Sequence, residues 1–193
     1  MEPIMLTIRN LEIIGFFFIG IVGSILHFAF AWSGNWTPLA IFAAVNESVW
    51  EHLKLAFWPA VLWAQVELTL ISHLDWRHFW AAKGLSFLAM PLTIVVVFYG
   101  YTAILGRNLL FLDIGTFFLA IAVGQKVFGW LFKNQFVSRC WIALGFLLLG
   151  GQLLAYSLLT YHAPDFPIFT DQRNGLRAIL PAKEALNTTV HGS

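Results

Sequence analysis

Long apolar runs are the feature that most limits what this chain can become. Crossing a hydrocarbon core of ~30 Å takes about 20 mostly apolar residues in a helix. Leu11–Trp32, Gly84–Leu105, Leu109–Phe132 and Val137–Tyr161 meet that length with few charges. Leu53–Ser72 is a weaker fifth run, because it holds Lys54, Pro59, Gln65 and Glu67. Only helices and closed barrels satisfy their backbone groups in lipid. Runs this long and this uniformly apolar read as membrane helices. The expected fold is therefore all-α, a polytopic membrane helix bundle with about five transmembrane helices.

Composition agrees. Charged residues make up 11% of the chain, against about 25% in soluble domains. The net charge of +1 and the lack of a basic stripe give no electrostatic footprint for nucleic acid. The single cysteine, Cys140, excludes an internal disulfide and reads as a small buried apolar residue. The N-terminal run lacks a small-residue cleavage site and reads as a retained helix rather than a secretory signal.

The segment from Pro38 to Ser72 is too long for one crossing. As a continuous helix it would reach about 50 Å. A proline in its middle, Pro59, favours a break. The expectation is a re-entrant or interfacial half-helix over Pro38–His52, followed by a crossing over Leu53–Ser72. "SHLDWRHFWAAKG" at 72–84 reads as an interfacial loop or short helix, its Trp76, Phe79 and Trp80 at headgroup level. "GRN" at 106–108 reads as a tight connection. The bundle thus occupies residues 1–162. A polar tail follows over 163–193, partly disordered at its end, with Phe166, Ile168 and Phe169 able to anchor its first part.

With five crossings, Arg9, Arg77, Lys83, Lys133 and Arg139 fall on one side, and Arg107 alone in the short loops of the other. The cationic side is expected to be cytoplasmic, and the N-terminus with it.

Against this apolar background, "AAVNESVWEHLKL" at 43–55 concentrates polar groups. On a helix, Glu47 and Glu51 are i,i+4 neighbours, as are Ser48 and His52. Two carboxylates and an imidazole on one face can ligate Zn, Mn or Fe, share a proton, or pair with Lys54 at a wet helix end. The first helix carries Gly20, Ser24, His27 and Ala31 as a stripe of small and polar residues, which suits close helix approach. His27 would then face inward and supply a further ligand. The expected metal set is His27, Glu47, Glu51 and His52, with Glu47 or Glu51 as candidate catalytic carboxylates. Asn46, Ser48, Trp50 and Lys54 would support them. A metal bound here could activate water to hydrolyse a lipid or peptide bond at the bilayer surface.

Two other classes of function fit the same residues. One is a proton- or ion-coupled carrier with Glu47 and Glu51 as the proton site, built as a homo-oligomer because the chain is small. The other is a non-catalytic accessory subunit whose cluster docks a membrane partner. A haem held by His27 and His52 is a remote variant. Weaker site candidates are Asp113, Gln125, Lys126, the His73/Asp75/His78 group, and His162 with Asp165. There is no phosphate-binding glycine loop, HExxH helix, GxSxG elbow or paired CxxC.

Residues 23–59, "GSILHFAFAWSGNWTPLAIFAAVNESVWEHLKLAFWP", resemble the signature region of a family of uncharacterised prokaryotic integral membrane proteins. Its marks are a histidine near the end of the first helix, then N-E-S-x-W-E-H-x-K, then a proline. Here these are His27, Asn46, Glu47, Ser48, Trp50, Glu51, His52, Lys54 and Pro59. The family also ends in an F-x-D-P-like segment. This chain has Phe169 and Asp171 but Gln172 in place of the proline. The resemblance implies a polytopic fold in a prokaryotic plasma (inner) membrane and a polar cluster that matters. It implies no substrate.

Overall fold

The computed structural model describes residues 8–71, 74–134, 138–171, 173–175 and 177. Five long helices form a bundle: α1 (Ile8–Trp32), α2 (Val49–Leu70), α3 (Trp76–Leu105), α4 (Leu110–Asn134) and α5 (Arg139–Leu158). Two short 3-10 turns, Thr37–Ile41 and Pro167–Phe169, complete the described elements. By length and composition, α1, α3, α4 and α5 can each cross a membrane. Their outward faces carry large apolar side chains such as Phe17, Ile21, Val96, Ile104 and Leu147. This is the helix set of a multi-pass membrane protein.

The fifth long helix, α2, is different in kind. Its 22 residues would span about 33 Å, but it carries most of the charge of the core. Glu51, Lys54 and Glu67 on it are all buried. It packs against α1 and α3, with a lighter contact to α4. Charges can sit there because each finds a partner within the bundle. Lys54 Nζ lies 2.6 Å from Glu51, and Glu67 is paired with Lys83 of α3. Lys83 also lies 3.5 Å from the centre of the Phe128 ring, a cation–π contact.

Three expectations change. No half-helix spans Pro38–His52. A 3-10 turn covers Thr37–Ile41, and α2 starts at Val49. Asn46 and Ser48 account for that start. The Asn46 side chain accepts from Ser48 N at 2.9 Å, and the Ser48 hydroxyl caps the helix by accepting from Glu51 N at 3.4 Å. Short polar side chains that bond nearby backbone draw the chain out of a helix and define its N-terminus. Secondly, the stretch from Trp76 to Gly84 is no separate interfacial piece but the first part of α3, capped by Asp75, which accepts from Arg77 N at 3.0 Å. Lys83 therefore lies inside the bundle and carries no weight as a loop charge. Thirdly, Cys140 is exposed on the surface of α5 rather than buried.

Glycines and prolines set how closely the helices approach. Pro59 stays within α2. It has no N–H to offer the Leu55 carbonyl, and that carbonyl faces Gly23 of α1, where any Cβ would collide with it. Gly84 of α3 and Gly145 of α5 meet backbone to backbone in the same way. After α5 the chain folds back over the start of α2. Phe169 is buried, Ile168 is half-buried and Phe166 is exposed, so Phe169 is the principal anchor, its ring centre 4.7 Å from that of Trp50 with the planes tilted by 37°. The distal tail expected to be disordered lies outside the described residues.

Candidate functional site

The polar motif divides into two sites. His27 arrives near the end of α1, Glu47 from the loop before α2, and His52 from the first turn of α2. Gly23 lets α1 approach α2 closely enough for the two imidazoles to stand 5.2 Å apart, ring centre to ring centre. Glu47 lies between them. Its Oε1 is 3.8 Å from His27 Nε2, and its Oε2 is 3.5 Å from His52 Nε2. One ligand atom from each of these three residues lies within 4.8 Å of the others, a group that could hold a metal ion.

Backbone contacts hold the ligands in place. His52 Nδ1 donates to the Ser48 carbonyl at 2.8 Å. That bond places a proton on Nδ1 and aims Nε2 at Glu47, the arrangement by which a carbonyl orients a metal-binding histidine. Glu47 N donates to Asp171 at 3.2 Å, so the segment after α5 fixes the loop that carries Glu47. Asp171 in turn accepts from Arg173 N at 2.7 Å. The Arg173 guanidinium reaches back to within 3.3 Å of Glu47 Oε1. The hydrogen bond from His52 holds the Glu47 carboxyl below the usual carboxylate range, with His27 and Arg173 adding to the effect and burial opposing it.

Glu51 is not among these groups. It turns away from Glu47 into a buried knot. Its Oε2 accepts from Lys54 Nζ and, at 3.0 Å, from Val45 N. Lys54 also donates to the Ala40 carbonyl and to Thr160 Oγ1, each at 2.7 Å. This knot ties the 3-10 turn, α2 and the end of α5 together. Glu47 and Glu51 thus have separate partners and share no proton site. A helix over 46–55 would have put both on one face, but the Ser48 cap leaves Glu47 outside α2.

Of the supporting residues, Asn46 and Ser48 shape the loop and cap, Trp50 packs on Tyr156 and Phe169, and Lys54 serves the knot. A cavity of about 620 Å³ opens beside the three-residue group, within the usual range for small-molecule sites. Asp113, Asn108 and Arg173 line its polar end with the histidines, while Phe28, Phe98 and Phe117 line its apolar part. Asp113 accepts a hydrogen bond from Tyr101.

The other candidates lie elsewhere. Gln125 is buried and donates to the Glu12 carbonyl at 3.1 Å. Lys126 points outward. His73 lies outside the described residues, Asp75 caps α3, and His78 packs on Phe132, donating to its carbonyl at 3.4 Å. His162 is exposed, and Asp165 pairs with Arg177. Within the stripe on α1, Gly20 is buried against Phe118 and His27 is half-buried, whereas Ser24 and Ala31 are exposed.

Arg173 and Thr160 escape a reading of the sequence, and Asp171 is marked there only as part of the tail segment, with nothing to tie it to the site. They come from the far end of the chain, and no local spacing links them to residues 46–54. Comparison with curated proteins and with solved structures returns no match. The helices and the site lie within a single stretch, residues 3–179, matched by the model of a family of unknown function, DUF6512, and the chain belongs to that family.

Proposed function

We propose that this membrane protein binds a divalent metal ion through His27, Glu47 and His52. The observation that carries the reading is the convergence of two imidazole nitrogens and one carboxylate oxygen within 4.8 Å. Two histidines and one carboxylate form a ligand set used by catalytic zinc sites and, with open positions, by non-haem iron sites. Three protein ligands leave at least one coordination position, and the adjoining cavity can deliver a further ligand to it. Bound there, a divalent ion supplies Lewis-acid chemistry toward water and toward a carbonyl or phosphoryl oxygen. Glu47 neutralises part of its charge, the Ser48 carbonyl orients His52, and Asp171 holds the Glu47 loop.

The site lies at the end of the bundle that holds the close of α1, the start of α2 and the start of α4. The opposite end carries Arg9, Arg77, Lys133 and Arg139. We read that cationic end as cytoplasmic in a prokaryotic plasma membrane, with the N-terminus on it. The metal site then faces the outer side.

Elemental analysis of protein purified in mild detergent without chelator tests the reading. Near-stoichiometric Zn, Mn or Fe in the wild type, lost in Glu47→Gln and in His52→Ala and kept in Lys126→Gln, is the expected result. A folded wild type that takes up none of these ions, even when they are added back, overturns it.

A further inference from the structure

We infer that the cavity beside the site receives a lipid with an anionic headgroup, its head at the His27/Glu47/His52 group and its chain along α1. This rests on the metal-binding reading and names the class of molecule that reaches it. The cavity's ionisable lining residues, His27, Glu47, His52, Asp113 and Arg173, belong to the bundle end that holds the site, and the rest of the lining is apolar apart from Asn108, Ser24 and Thr116. Its lining shares Ser24, Phe28 and Phe118 with a second groove of about 550 Å³, which runs along α1 from Trp32 past Ile21 and Gly20 to Phe16. From His27 to Phe16 the track follows α1 for about 16 Å. Because α1 is a membrane-spanning helix, the track points from the end of the bundle toward the hydrocarbon core, the direction in which an acyl chain lies.

Charge selects the head. A divalent ion on two neutral histidines and the Glu47 carboxylate leaves one net positive charge, and since the Asp113 carboxylate and the Arg173 guanidinium in the same lining offset each other, the polar end as a whole stays cationic. Once the metal takes Glu47, Arg173 is freed at the cavity mouth as a second cation. Arg173 is 75% exposed at its side chain, so it can turn to a phosphate or carboxylate, for which guanidinium is well suited. An extended peptide is the poorer occupant. Irregular backbone at membrane depth needs hydrogen-bond partners. The groove offers the Ser24 hydroxyl, already donated to the Gly20 carbonyl at 2.7 Å.

The test uses full-length protein in mild detergent, loaded with whichever divalent ion it retains. The probes are inorganic phosphate, glycerol 3-phosphate and 1-acyl-glycerol 3-phosphates of increasing acyl length, below their micelle concentrations. The expected affinity rises with chain length by about fourfold for each methylene that becomes buried. Ser24→Trp, which fills the junction of the two grooves, removes that rise while metal content stays at the wild-type level. Equal affinity for glycerol 3-phosphate and its acylated forms overturns the lipid proposal, as does a chain-length dependence untouched by Ser24→Trp. If Ser24→Trp loses its metal, the chain-length series on the wild type decides alone. Metal content is read separately in every sample, so failure of the metal reading shows as an absent ion and failure of the lipid reading as a retained ion without chain dependence.

Discussion

Lys54 Nζ lies 2.6 Å from Glu51 Oε2, both side chains almost wholly buried, in the first turns of the helix that also carries His52. A buried pair of this kind is strongly destabilised when one partner is removed, because the remaining charge has no counter-charge. Lys54→Met should therefore lower stability by about 3–5 kcal/mol. Thermal unfolding in detergent checks it. The double replacement Glu51→Gln/Lys54→Met should recover part of the loss, and folded double mutant should keep its metal. Loss of metal with stability intact would mean that Glu51 acts at the metal site after all.

Acid should weaken the site from two directions. The Glu47 carboxyl is held below its ordinary range in the folded protein. A carboxylate of lowered pKa contributes stability that is fully present above its unfolded pKa, near 4.3. That contribution disappears as pH falls through the lower, folded value. Metal retention should fail earlier. The imidazoles must be neutral to ligate, and free histidine titrates near pH 6.5. Equilibrium dialysis should show metal leaving between roughly pH 7 and pH 5, while unfolding follows only in stronger acid. Metal binding that is flat across that interval would argue against histidine ligands.

Arg173 competes for the same carboxylate. Its guanidinium is 3.3 Å from Glu47 Oε1, where a metal ion would draw that oxygen away. Arg173→Ala should tighten metal binding severalfold, and the gain should shrink as salt rises, since exposed charges are screened over about 10 Å at 0.1 M. Competition titrations with a metallochromic indicator at two ionic strengths read both effects. Weaker binding in the variant would show that Arg173 serves to position Glu47.

Gly84 and Gly145 should tolerate no side chain. A Cβ on either would collide with backbone of the facing helix. Gly145→Val should force α3 and α5 apart at a cost of about 1–3 kcal/mol, seen as a lower melting temperature. The same change at Gly150, where a Cβ meets nothing within 4 Å, should be nearly neutral and serves as the control.

Much of this architecture is written in local patterns. The apolar runs specify helices because lipid leaves the backbone no other partner, and their ends agree with α1, α4 and α5 to within a few residues. The N-E-S-x-W-E-H-x-K segment marks a polar site in an oily chain for the same reason: charges there are costly unless they are used or paired. Helical periodicity went wrong where a cap intervened. Ser48 and Asn46 end the helix before Glu47, so a face drawn on residues 46–55 joined two carboxylates that the fold separates. The stretch 72–84 reads as interfacial because Trp76, Phe79 and Trp80 suit headgroup level, yet Phe79 and Lys83 are buried in α3, where Glu67, sixteen residues earlier, neutralises Lys83.

Hydropathy and short polar motifs are properties of neighbouring residues, and the sequence by itself determined a multi-pass helical bundle with a His/Glu cluster between the close of its first helix and the start of its second. Which carboxylate faces the histidines, and which is neutralised by Lys54, depended on contacts across more than a hundred residues. Thr160 reaches Lys54, and Asp171 reaches the Glu47 backbone, only because α5 returns its end to the start of α2. Burial makes those distant partners compulsory, since an unpaired charge inside the bundle would be too costly to keep. Only the tertiary structure decides which partners they are.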